Sequence, residues 1–434
     1  MNQKEVEQYL IDFQKRDFPK LIERSLRVSS SKKINVIFGP RRAGKTYYLF
    51  QVMQQLIKSG MQKEEVVYLN FESPRLFDIG FKEIREVITL HRRLFPKTNR
   101  PTLFFDEPQN INFWERSVRE LYDEGYRIFL SGSSSKLLGK EIATSLRGRS
   151  LSYLLLPFSF KEFLRLKKVA LAKRISSNEK AKILALLDEY LEFGGFPEVV
   201  LEDNKETKLR ILDDYLSLTV YKDIVERYKI RDTVLIKWFI KSLISSYTKE
   251  VSINKLYLTL KSQNRKVSKD ELYDYASMCN DILFTFYLPK FSWSLRKREP
   301  VSKVYLGDTG FSKLIETTKD VGKRMENTVF LELIRRLTPL QELYFWKNVQ
   351  REEVDFVVKE GGKISQLIQV CSDVDDFKTK KREIRALLKA SKELRCNNLL
   401  IITDNLETEE VAEWYGTKGR VRFIPLWRWL VGWF

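Results

Sequence analysis

Residues 37 to 50 read IFGPRRAGKTYYLF, and Gly39, Gly44, Lys45 and Thr46 fall at the G-x-x-x-x-G-K-T spacing of a loop that wraps nucleoside triphosphate phosphates. Glycine lets successive backbone N–H groups curl around an anion, and a helix N-terminus adds partial positive charge. The run Gly39, Pro40, Arg41, Arg42, Ala43, Gly44, Lys45, Thr46 and Tyr47 is therefore the expected ATP cradle. Lys45 would reach the terminal phosphates, and the Thr46 hydroxyl would ligate Mg2+. The acidic half of such a site is PTLFFDEPQNI, where an apolar run ends in Asp106 and Glu107. Asp106 would hold the magnesium through water, and Glu107 would orient and polarise the attacking water. A glutamate there favours hydrolysis over phosphoryl transfer to a small molecule, which uses no water. RIFLSGSSSKLL brings Ser133 to the end of another strand, where a serine can sense the terminal phosphate or simply cap a helix. In SLRGRS, Arg147 or Arg149 could stabilise transition-state charge, in its own subunit or in a neighbour's, or be a solvated arginine.

These side chains need a strand on one side and a helix on the other. Ile34 to Phe38 is an apolar run of strand length, and Leu49, Val52, Met53, Leu56 and Ile57 recur at helical spacing until Gly60. The blocks GPRRAGKT, LFFDEPQNI, SGSSSKLL, LRGRS and YLEFGGFPEVV, in this order, resemble prokaryotic, especially archaeal, AAA-type P-loop ATPases that carry a winged-helix and a restriction-endonuclease-like C-terminal region. The likeness runs from about Ser31 to the C-terminus. It implies an α/β fold whose parallel sheet uses INVIF, EVVYLNF, PTLFF, RIFLS and LSYLLL, with an extra strand between the loop strand and the acidic strand. It also implies that GGFP, Gly194 to Pro197, lies in a helical lid over the nucleotide; spacing alone makes GGFP a turn.

At 434 residues the chain exceeds one compact domain. The expected division is 1–157, a P-loop core with an N-terminal helical segment; 158–246, the lid; 247–315, the winged helix; and 316–434, the nuclease-like domain. In the winged-helix stretch, Ser252 and Ser268 each open a short helix, and two strands flank a basic hairpin. The second helix, SKDELYDYASMCND, is more acidic than basic, which disfavours base reading. The hairpin suits double-stranded DNA better: Trp293, Arg296, Lys297 and Arg298, with Lys290 and Lys303 near, could meet phosphates without reading sequence.

In the last third, ENTVFLELIRRL is a helix bearing Glu332, and the following hairpin bears Asp355 on one strand and Gln369 and Cys371 on the next. Nucleases of the resembled fold need an acid on that helix, an acid on the first strand and Glu-x-Lys on the second. Gln369 and Cys371 remove a ligand charge and the catalytic ammonium together, so a degenerate site is expected, although Lys359 or Lys363 could reach in.

The chain carries 77 Lys and Arg against 58 Asp and Glu, a net charge of +19 that attracts polyanions. Three cysteines without a C-x-x-C pair suggest neither a disulfide framework nor a zinc site. The N-terminus is too charged for a secretory signal, and no apolar run is long enough to cross a bilayer. A cytoplasmic protein without a membrane partner is expected, and a homo-oligomer or a protein partner fits an arginine acting in trans. The single histidine, His91, sits in the charged stretch TLHRRLF and is expected at the surface. The leading expectation is a magnesium-dependent ATPase that couples nucleotide state to DNA binding. The alternatives are an ATP-driven nuclease and a nucleotide-controlled assembly switch without nucleic acid.

Overall fold

The structure is a computed structural model that describes residues 2–98, 100–133, 146, 148–172, 174–293, 302–316 and 320–433. Two compact units divide the chain, Met1–Pro157 and Phe158–Phe434.

In the first unit, α1 (Gln3–Lys15) precedes the alternation β1 (Ile34–Phe38), α2 (Lys45–Lys58), β2 (Val66–Asn70), α3 (Glu83–Leu94), β3 (Thr102–Asp106), α4 (Trp114–Asp123), β4 (Ile128–Gly132) and β5 (Ser150–Leu154). The strands form one parallel sheet in the order β2-β3-β4-β1-β5. The extra strand is β4, which separates the loop strand β1 from the acidic strand β3. Every residue of β1, β3 and β4 is buried, as a parallel strand covered on both faces requires. Phe104 and Phe129 stack across β3 and β4 at 4.7 Å between centroids. Three of the strand C-terminal ends therefore lie side by side and carry Gly39, Asp106 with Glu107, and Ser133.

His91 is not at the surface. It lies on the inner side of α3, fully buried, with its ring 4.9 Å from that of Phe95. The helical period carried it inward: Ile84, Val87 and Ile88 define the buried face of α3, and position 91 continues that face while Arg92 and Arg93 point out.

The second unit begins with helices, α5 (Phe160–Leu166), α6 (Ser177–Phe193), α7 (Pro197–Leu201), α8 (Lys205–Leu218) with a π-helical continuation over Thr219–Glu226, and α9 (Thr233–Ser245). Ser159 with Glu162 and Ser176 with Glu179 form capping boxes that fix the starts of α5 and α6. GGFP joins α6 to α7. Its Gly195 N–H donates to the Asp308 carboxylate at 2.8 Å, and a Cβ on Gly194 would lie 1.6 Å from an Asp308 oxygen. GGFP thus packs on residues 307–311, inside this unit.

Next come β6 (Glu250–Val251), α10 (Ile253–Ser262), α11 (Lys269–Asp281), β7 (Thr285–Pro289) and β8 (Ser302–Leu306), with an antiparallel sheet in the order β6-β8-β7. The Ser252 and Ser268 side chains accept from the N–H groups of Lys255 and Glu271, at 3.3 and 3.0 Å, and cap α10 and α11. The short β6 had no legible signal, being two residues long.

After α12 (Val321–Arg336) stand β9 (Gln341–Lys347), β10 (Glu353–Glu360), β11 (Lys363–Cys371), α13 (Phe377–Leu394), β12 (Leu399–Thr403), β13 (Thr408–Trp414), β14 (Thr417–Pro425) and α14 (Leu426–Val431). The six strands form a mixed sheet, β13-β14-β12-β11-β10-β9, parallel only at β11-β12-β14. The amphipathic α13 buries Ala386, Leu387, Ala390 and Leu394 on one face of it. The two sheets of this unit meet, since the Phe291 N–H donates to the Phe345 carbonyl at 2.7 Å and Lys290 bridges Phe345 in parallel. Among the described residues, no helix is long and apolar enough to cross a membrane.

Candidate nucleotide site

Gly39 leaves β1 where a Cβ would lie 2.0 Å from the Leu155 carbonyl oxygen, so no larger residue fits. Gly44, with φ of 92°, turns the loop into α2, and Arg42 also takes the left-handed region with φ of 66°. Lys45 is the first residue of α2, and its ammonium donates to the Pro40 carbonyl at 3.1 Å, spanning the loop. Arg41 pairs with Glu72 at 3.6 Å, and Tyr47 is exposed on the outer side of α2.

Thr46, one residue on, donates its hydroxyl to the Asp106 carboxylate at 2.6 Å. Tyr68 donates to the same carboxylate oxygen at 3.0 Å, and the Ser131 hydroxyl bonds the other. Burial raises the Asp106 pKa above the ordinary carboxylate range, while the Ser131 and Thr46 hydroxyls oppose the rise. A hydroxyl and a carboxylate side by side are hard oxygen donors, the kind Mg2+ prefers. Thr46 and Asp106 therefore fit a magnesium ion.

Glu107 is in the left-handed region, with φ of 53°, which turns its side chain back toward the loop. One carboxylate oxygen lies 3.6 Å from the Lys45 ammonium. The other accepts the Ser133 N–H at 3.0 Å and a bond from the Gln109 side chain. Lys45, Thr46, Asp106, Glu107 and Ser133 thus converge, with Ser133 contributing its backbone rather than its hydroxyl. Arg149 stands apart, its guanidinium in a two-point pair with Asp123 at 2.9 and 3.1 Å. Arg147 lies outside the described residues.

The sequence reading assigned no role to Arg24, Tyr68 or Gln109. Arg24, buried in an irregular stretch before β1, donates to the Ala43 carbonyl at 2.9 Å and to the Leu156 carbonyl at 2.5 Å, bracing the loop from behind. Such a residue has no spacing signature, because it reaches the loop across the fold. Gln109 sits two positions beyond Glu107, and its proximity in sequence was a usable signal.

The residues expected at a DNA surface divide. Trp293 is exposed, with its ring edge-on to Phe291 at 5.0 Å. Arg296, Lys297 and Arg298 lie outside the described residues. Lys303 does not face solvent; it is buried and its ammonium meets Glu326 at 2.9 Å, Glu353 at 2.5 Å and Asp355 at 3.0 Å. It faces inward because alternation along β8 sends it to the side of α12 and β10.

The nuclease-like residues divide too. Asp355 accepts the Val370 N–H at 3.0 Å, and its own N–H donates to the Gln369 side chain at 3.1 Å. Gln369 in turn donates to Glu383 at 2.6 Å. Cys371 is buried, which pushes its thiol up to about 11, away from reactivity at neutral pH. Glu332 is not the helix acid of this group. It pairs with Arg336 at 2.8 Å and Arg335 at 3.3 Å, and the acid that meets Lys303 is Glu326, on another face of α12. Six residues of helix turn a side chain by roughly 600°, well away from its starting face. Lys359 pairs with Glu342 at 3.0 Å rather than with the cluster. The ammonium near Asp355 comes instead from β8, far earlier in the chain.

Residues 31–164 match the family model of an AAA domain. Residues 184–319 and 321–429 match two families, each described as a domain of unknown function, DUF8612 and DUF4143. An uncharacterized protein of Methanocaldococcus jannaschii is 40% identical over 413 residues, covering 94% of this chain and 91% of that protein. An uncharacterized protein of Haemophilus influenzae is 30% identical over 365 residues, covering 82% of this chain and 86% of that one. Among solved structures, the Aeropyrum pernix ORC2 protein in ADPNP and ADP complexes overlays with a TM-score of 0.38 at 11% identity, covering 76% of this chain and 94% of that chain.

Proposed function

Because this chain carries an AAA domain and belongs to one family with the Methanocaldococcus jannaschii and Haemophilus influenzae proteins, we propose that it is an ATPase whose nucleotide state controls its affinity for DNA. The observation that carries the catalytic half is the joint placement of Thr46 on Asp106 at 2.6 Å and Lys45 beside Glu107 at 3.6 Å, under a loop whose Gly39 leaves no room for a side chain. In this reading the loop N–H groups and Lys45 bind the phosphates. Thr46 and Asp106 would hold Mg2+, which when bound would supply positive charge beside the phosphate oxygens. Glu107 orients water toward the terminal phosphate and takes up its proton. Ser133 and Gln109 hold Glu107 until nucleotide competes for its neighbour Lys45.

The test uses two substitutions with different signatures. Lys45→Ala should weaken nucleotide binding, since the ammonium contacts phosphate in ground and transition states alike. Glu107→Gln should keep ATP bound and reduce turnover by about a hundredfold or more, because only the proton-accepting step is lost. Unchanged turnover in both variants would overturn the assignment.

DNA as the partner is supported by the net charge of +19 and by the run of basic residues that links β7 to β8 in the sequence. We assign residues 158–246 to a lid, 247–315 to a winged helix and 316–434 to a degenerate restriction-endonuclease-like domain. Support comes from the helix and strand order of β6, α10, α11, β7 and β8, and from Gln369 and Cys371 on β11. One observation favours the switch without nucleic acid: the exposed face of α11 carries Asp270 and Asp274, and Lys303 is withdrawn from the surface. Salt-dependent binding of duplex DNA separates the two readings. Plasmid nicking with Mn2+ tests the nuclease alternative, and intact plasmid is expected.

A further inference from the structure

In water a lysine ammonium is strongly hydrated, and burying it is costly unless carboxylates replace the lost water. Lys303 is 3% exposed and meets three carboxylates from two elements, Glu326 on α12 and Glu353 and Asp355 on β10. Tyr305, two residues on and facing the same way, donates its hydroxyl to Glu326 at 2.7 Å. Lys347 at the end of β9 supplies a second cation, 3.2 Å from Glu353. Gln369 and Glu383 close the far side through the Asp355 backbone. Burial and the neighbouring Asp355 push the Glu326 pKa up, while Lys303 and the Tyr305 hydroxyl oppose the rise.

Oxygen atoms from three carboxylates lie within 3.0 Å of one point, and that point is the Lys303 nitrogen. A divalent cation on oxygen ligands needs the same convergence at somewhat shorter distances. Among the described residues, no group of three or more His, Cys, Asp or Glu side chains is arranged to hold a metal ion.

We propose that Lys303 is a resident cation that occupies the place of a divalent metal ion, so that the carboxylate cluster of the C-terminal sheet is neutralised from within and takes up no Mg2+ or Mn2+. The charge that an exchangeable ion would bring is covalently built into β8, and it ties β8 to α12 and β10. The inference rests on the geometry of this cluster and does not depend on ATP hydrolysis or on DNA binding.

The experiment measures thermal unfolding and Mn2+ uptake, without nucleotide, in an Asp106→Asn background that silences the nucleotide site. With Lys303 present, Mn2+ should change neither. Lys303→Met keeps the length of the side chain and removes the ammonium. This variant should lose stability in chelator, regain it with Mn2+ and take up about one equivalent of the ion. Rescue by Mn2+ is readable whether the metal-free variant is folded or not. Lys303→Arg keeps the charge and should ignore Mn2+. Adding Asp355→Asn to Lys303→Met should abolish the rescue. The proposal is overturned if the Lys303 protein takes up Mn2+ in a manner sensitive to Asp355, if Lys303→Met gains nothing from the ion, or if rescue survives Asp355→Asn.

Discussion

His91 is fully buried, and neither ring nitrogen has a hydrogen-bond partner. Burial disfavours the charged ring and pushes its pKa down to about 4, from the ordinary value near 6.5. A group whose folded pKa is depressed in this way binds its proton more readily when unfolded. Its effect on stability is absent above about pH 6.5, and stability falls by about 1.4 kcal/mol per unit as pH drops from there toward 4. Denaturant unfolding at several pH values should show a smaller acid loss in His91→Phe than in the parent, and parallel pH profiles would contradict the account. The nucleotide residues were legible because their chemistry is local: Gly39 to Thr46 are consecutive, and Asp106 and Glu107 end an apolar run. His91 and Lys303 misled for one reason. Each sits in a charged stretch, and its own direction is set by the period of its element rather than by its neighbours' polarity. Glu332 misled because two glutamates share α12 and only packing tells which faces β10.

At the scale of elements, the segment between α6 and α7 packs against residues 307–311. Gly194 has φ of 77°, and a Cβ there would collide with Asp308, while a Cβ on Gly195 would lie 2.3 Å from the Phe158 carbonyl oxygen. Asp308 is buried, accepts from Gly195 and Gly310, and has its pKa pushed up to about 6 by burial despite those bonds. Gly194→Ala combines a forbidden contact with a strained backbone and should cost about 4 kcal/mol or more, read as a lower denaturant midpoint. Asp308→Asn keeps the shape and should cost less, because an amide oxygen still accepts both N–H bonds. A neutral Gly194→Ala would mean that the turn relaxes freely. Strands β1 to β4 were readable as apolar runs, and α10 and α11 from their serine caps. The pairing of GGFP with GDTGF was not, since two glycine turns distant in sequence give no sign of meeting.

Across the whole molecule, the first unit holds the nucleotide residues, and the basic residues proposed to meet DNA belong in sequence to the second. If nucleotide alters DNA affinity, DNA must alter nucleotide affinity by the same factor, and a coupling of roughly 1 to 3 kcal/mol is usual. Duplex binding should therefore differ by about fivefold or more among nucleotide-free, ADP-bound and analogue-bound protein. Neutralising Arg296, Lys297 and Arg298 together should weaken binding for all sequences alike and flatten its salt dependence. Identical affinity in the three nucleotide states would refute the coupling.

The junction of the two sheets in the second unit bears on how this protein can be cut. A bare strand edge is a template for pairing with another chain, and proteins hide or charge such edges. At one end of the six-stranded sheet, β13 is a charged edge, its Glu409, Glu410 and Glu413 paired with Arg420, Lys380 and Lys418 of the same chain. At the other end, β9 offers Leu343, Phe345 and their neighbours, and Phe345 is paired by residues 290 and 291 of the same chain. The family boundary near residue 320 looks like a natural place to excise the C-terminal part. A fragment starting there would leave β9 without that cover and should self-associate, whereas one starting before α10 brings its own edge cap and should remain dispersed.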